Sequence, residues 1–85
     1  MKHKPKRLDV ITDLRRSIMS SYSKNGFEDS NFKIFLGNAE ANLSKIELDK
    51  NTYDLTLKRL NKAKNPKQSI EKRREDLLMA SILVL

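Results

Sequence analysis

The sequence predicts an all-α protein, a small bundle of three to four helices that dimerises through its apolar C-terminal helix. Three observations carry that expectation. Among 85 residues only two are glycine and two are proline, fewer than a strand-rich domain of this size needs in its turns. Apolar residues recur every three or four positions, the spacing that collects them on one face of a helix. There is no cysteine, so neither disulfides nor thiolate-held metal can reinforce a core that a short chain keeps thin. A second chain is then the remaining source of burial.

The first helix is expected from Asp9, a candidate cap, with Leu8, Ile11, Leu14 or Arg15, Ile18 and Tyr22 on one face. Asn25-Gly26 should end it, because glycine accepts the left-handed backbone that a helix end favours. A second helix begins near Asp29-Ser30, both good N-caps. Its stripe is Phe32, Phe35, Leu36, Ala39 and Leu43, and it fades between Ser44 and Asp49. The third begins at Asn51, where Asn51 and Asp54 resemble a capping box with a shorter acid. Tyr53, Leu57 and Leu60 line one side, and Asn65-Pro66 ends it, since the residue before proline avoids the helical region. The fourth follows Pro66 with Ser69 as cap and Glu71 near the positive helix end.

Residues 1–7 read as a basic flexible tail and 8–85 as a single helical domain. The tail is basic but no apolar stretch follows it, so it does not read as a secretory signal. The longest apolar run, Leu77 to Leu85, is broken by Ser81 and falls well short of the ~20 residues a membrane span needs. A cytoplasmic protein is the expectation, with no membrane contact.

Catalytic chemistry finds no foothold. His3 is the only histidine and lies in the tail, so no Ser–His–acid or Cys–His set can be assembled. Gly26 and Gly37 are too far apart for a phosphate-cradling loop. The adjacent acids Glu28-Asp29 and Glu75-Asp76 read as solvated surface, not as an acid–base pair. No cofactor, metal or small-molecule substrate is expected, and the protein is expected to bind rather than to catalyse.

The charge is +7 overall and unevenly placed. Lys2, Lys4, Lys6 and Arg7 mark the tail. Between residues 58 and 74, Lys58, Arg59, Lys62, Lys64, Lys67, Lys72, Arg73 and Arg74 stand against Glu71 alone. Such a block attracts phosphates or an acidic partner surface, or it is simply a solvated face. It lacks interleaved aromatics, which argues against base stacking. Residues 43–60 have a faint helix-turn-helix look, but the link from Ala41 to Thr52 is about two residues too long and has no glycine.

Two apolar features point to docking. The end of the fourth helix is apolar all round, so Leu77, Met79, Ile82, Leu83 and Leu85 are expected at a dimer interface, unless the other three helices wrap them. Gly37 and Ala41, four apart, leave a smooth patch where another helix could approach, within the chain or between chains, or else sit on a wet face.

The string Leu36-Gly37-x-Ala39-x-x-Asn42-Leu43 resembles the core of the YmgB/AriR family of small bacterial regulators. Ser20-Ser21-Tyr22 before it and Glu28-Asp29 at the entry fit the same order of elements, over roughly residues 11–84. The resemblance implies a helical dimer in biofilm and acid-stress control, a connector that docks on two-component signalling proteins. It also implies possible DNA binding, through a distant likeness to the Hha/YmoA nucleoid modulators. The chain departs from the family in its strongly basic block and its apolar end. The expected function is therefore regulation by protein docking, with non-specific DNA contact through the basic block. The alternatives are a DNA-binding transcriptional or nucleoid-modulating protein, or a small inhibitor from a mobile element.

Overall fold

A computed structural model describes residues 5–85. Four α-helices follow one another: α1 (Arg7–Ser20), α2 (Ser30–Leu43), α3 (Lys50–Ala63) and α4 (Ile70–Val84), with a short 3₁₀ turn at Gly26–Glu28 before α2. The all-α expectation is met, with no strand among the described residues.

The helix boundaries follow local capping chemistry and correct the sequence reading in three places. Lys6, not Asp9, is the N-cap of α1. Asp9 sits inside the first turn, where its carboxylate accepts the Lys6 backbone N–H at 2.8 Å. Arg7 is therefore helical rather than tail, while Lys2, His3 and Lys4 lie outside the described residues. α1 ends at Ser20, earlier than Asn25-Gly26. Gly26 does carry a left-handed φ of 57°, but it turns the chain into the 3₁₀ segment instead of closing α1. α3 is capped by Asp49, whose carboxylate accepts from Thr52 N at 3.0 Å and Thr52 Oγ1 at 2.7 Å. Those bonds hold the Asp49 pKa below the ordinary carboxylate value. Asp29 and Ser69 cap α2 and α4 as expected.

The helices pair as two antiparallel hairpins, α1 with α2 and α3 with α4, joined along α1 and α4. The Cα envelope is 37 × 29 × 15 Å, two helix layers thick at the usual ~8–10 Å axial separation. Val10, Ile11 and Leu14 of α1 meet Phe32, Leu36, Ala39 and Leu43 of α2, Leu60 and Ala63 of α3, and Leu77, Ala80 and Val84 of α4. Burying each large aliphatic or aromatic side chain contributes about 1.5–3 kcal/mol. The buried Ala39, Ala63, Ala80, Ser17 and Ser81 keep the helices close. The hydroxyls of Ser17, Thr56 and Ser81 donate to carbonyls three or four residues earlier, so none is left unbonded. On α1, the partial burial of Asp13 raises its pKa above the ordinary carboxylate value.

Among the described residues one charged side chain lies wholly inside, which corrects the reading of Asp76 as solvated surface. Asp76 of α4 is 0% exposed and takes a 3.0 Å salt bridge from Arg59 Nη1 of α3, whose side chain is 32% exposed. Gln68 Nε2 lies 3.4 Å from the other carboxylate oxygen. Loss of the cation would leave a buried carboxylate with one weak donor, whereas loss of the acid lets the arginine swing into water. Arg59→Met is therefore expected to destabilise the fold by about 3 kcal/mol, while Arg59→Met with Asp76→Leu recovers most of it. Urea unfolding of the wild type and both variants checks this.

Candidate docking surface

The eight residues of the basic block divide by what their side chains touch. Arg73 places its guanidinium carbon over the Phe27 ring, 3.9 Å from its centroid, and its Nε donates to the Ala63 carbonyl at 2.7 Å. Desolvation lowers its pKa, though a guanidinium stays charged. Arg74 stacks 3.7 Å from the centroid of Tyr22 and donates from Nε to Ser21 Oγ at 2.9 Å and from Nη2 to the Ser21 carbonyl at 3.0 Å. Arg59 holds Asp76, Lys64 pairs with Glu40 of α2, and Lys72 reaches Glu75 at 3.6 Å. The three arginines expected to face an anion are thus engaged in joining helices. Lys58, Lys62 and Lys67 remain exposed, with no ion pair among the described residues. The sequence reading looked for aromatics only within the block; the signal it passed over was Tyr22 and Phe27, ring partners for two consecutive arginines.

The apolar end of α4 divides in the same way. Leu77 is 0% exposed and belongs to the core with Ala80 and Val84, which corrects its assignment to an intermolecular surface. α1 and α3 cover this side alone. Leu78 is 50% exposed, Ile82 49% and Leu85 75%, and their four- and three-residue spacing aligns them on the outward side. Met79 and Leu83 are half-buried on the flank facing α3. There, with Leu55, Lys58, Arg59 and Lys62, they line a shallow slot of about 180 Å³. Leu55 lies off the Tyr53–Leu57–Leu60 stripe and was not foreseen as a site residue. Its three-residue step to Lys58 was the available signal.

Gly37 and Ala41 are exposed on the outer side of α2. A Cβ built on Gly37 meets no atom within 4 Å, so no helix crosses there within the chain. The glycine instead borders a groove with Phe27, Phe32, Leu36, Lys64 and Arg73.

Among the described residues, no group of three or more histidine, cysteine or acidic side chains could hold a metal ion. None of the described helices is long and apolar enough to cross a membrane. No family model matches the chain, and no curated protein or solved structure matches it at a significant level.

The division of α4 gives a sharp contrast between neighbours in sequence. Leu77→Ala is expected to cost about 2–5 kcal/mol, whereas Leu78→Ala stays within about 0.5 kcal/mol, as read from thermal or urea unfolding of the isolated chain.

Proposed function

We propose that this protein is a non-enzymatic regulator that works by docking on an acidic amphipathic segment of another protein. The observation that carries the reading is the α3–α4 slot, whose lining combines apolar Leu55, Met79 and Leu83 with basic Lys58, Arg59 and Lys62. The apolar half of that lining has no use against a phosphate backbone. It does suit a helix that presents aliphatic residues at i and i+3 or i+4 and acids beside them. A connector role of this kind is also what the YmgB/AriR resemblance implies, and a cytoplasmic setting would give it access to signalling proteins.

Nucleic-acid binding is the second reading, favoured by the unpaired Lys58, Lys62 and Lys67. It is the weaker one, because the three arginines of the basic block, the residues suited to gripping phosphates, are engaged within the fold. Three lysines release about three counterions, so any duplex binding through them would carry a shallow salt slope of roughly −3.

Placing a photo-crosslinking phenylalanine analogue at Leu55, in cells of the source organism, tests the docking reading. The expected product is an adduct with a second, different protein, lost on Lys58→Glu/Lys62→Glu and not formed from the same analogue at the exposed Asn31 of α2. Equal adducts from both positions, a nucleic-acid adduct, or no protein adduct from Leu55 would overturn it.

A further inference from the structure

The groove beside Gly37 is a feature that neither the slot nor the core accounts for. It encloses about 280 Å³. Phe27, Phe32 and Leu36, all buried, line it, and the two rings pack edge to face with centroids 4.9 Å apart. Two ion pairs bracket it along α2. Lys33 meets Glu28 of the 3₁₀ turn at 3.0 Å, and Glu40 meets Lys64 at the end of α3. From Lys33 to Glu40 the helix rises ~10 Å. Gly37 stands between them. A glycine in mid-helix weakens the helix, yet no atom of the chain comes within 4 Å of where its Cβ would stand. The room it leaves opens onto the groove.

We infer that this groove binds a small amphipathic monocarboxylate, a flat aromatic or short aliphatic body carrying one carboxylate. Charge selects the occupant. Lys33 and Lys64 are matched by Glu28 and Glu40, which leaves Arg73 as the one cation in excess among the described lining residues. The Nε of Arg73 is engaged by the Ala63 carbonyl, but neither Nη makes a hydrogen bond among the described residues. Glu28 lies close enough to act on Arg73 through space, while its carboxylate is bonded to Lys33. A carboxylate can take two parallel bonds from the open edge of a guanidinium. A phosphate dianion matches less well, since Glu28 and Glu40 in the same lining repel its second charge.

The rest of the lining suits an apolar body. Buried aromatic and aliphatic side chains with a few placed polar groups are the usual make-up of a small-ligand site. The volume lies near the lower end of the ~300–1,000 Å³ such sites span, which limits the body to about two fused rings. A ligand seated here touches α2, the end of α3 and the first turn of α4 together. Within the chain α2 packs chiefly on α1 and the 3₁₀ turn, so the ligand adds a tie between the two hairpins. This inference does not rest on the α3–α4 slot.

A ¹H–¹⁵N NMR titration of the full chain with 2-naphthoate tests it. Shifts are expected to centre on Leu36, Gly37 and Lys64 and to saturate with a Kd of about 1 mM or tighter. The thermal midpoint rises with the acid, because it binds only the folded chain. The amide 2-naphthamide, of similar shape but uncharged, binds about tenfold more weakly or worse. Gly37→Leu fills the groove and abolishes binding, while the thermal midpoint does not fall, since a helical glycine is replaced where there is room for a side chain. Arg73→Met weakens binding about tenfold with the circular dichroism unchanged. Should Arg73→Met unfold, the amide and Gly37→Leu decide the matter alone. No shift at Gly37 up to about 5 mM, well above the Kd expected for a ligand of this size, would overturn the inference. So would equal binding of acid and amide, or binding that survives Gly37→Leu. The crosslink at Leu55 is unaffected by any of these results, so the two readings fail separately.

Discussion

Everything in this molecule depends on how the first turns of α4 are held. Arg73, Arg74 and Asp76, within four consecutive residues, reach three different places. Arg74 clasps Ser21 and Tyr22 at the end of α1, Arg73 closes over Phe27 and the end of α3, and Asp76 draws Arg59 inward from α3. A guanidinium suits this task because its flat face stacks on a ring while its edge still donates to a carbonyl. An 85-residue chain builds only a thin apolar core, so directional contacts carry more of the helix orientation. Directional contacts at one end set the angle, and the aliphatic residues further along α4 then fall into register. Without that clamp the exposed stripe and the slot beside it would have no defined geometry.

The clamp also explains why a strongly basic sequence does not make a strongly basic face. Charge counted along the chain treats each cation as equally available to solvent. In the fold, four of the eight block residues face inward partners or opposite helices, and what remains is a short lysine edge beside an apolar slot. Such an edge steers and orients a partner, while the aliphatic lining supplies the affinity.

The number and order of helices were legible in the sequence, because helical periodicity and the Asp29 and Ser69 caps are local signals. The other starts were missed for a local reason as well. Asp9 and Asp49 both bond backbone N–H groups, but one does so from inside the first turn and the other from before it. Sequence alone does not say which side of the boundary an acid occupies. The α2 stripe read correctly at Phe32, Leu36, Ala39 and Leu43 because it faces one way. The end of α4 did not, since a helix apolar on every side gives no sign of which side is inner. Only the approach of α1 and α3 separates Leu77 from Leu78. The roles of Arg73 and Arg74 were illegible for a related reason, since their partners lie about fifty residues earlier, in the turn after α1.

The pairing of α1 with α4 has a consequence for how the chain reaches this state. Each hairpin is made of neighbours in sequence and closes over short loops, which costs little chain entropy. The seam between the hairpins instead brings Ser21 to Arg74 and Arg7 to Leu85, and such distant contacts form late. Until they do, the α1–α2 hairpin holds half of a core, with Val10 and Leu14 uncovered by α4. The slow and vulnerable interval in the life of this protein is therefore the wait of its first hairpin for its last helix, when the surface most open to misassociation is the one that the finished fold hides most completely.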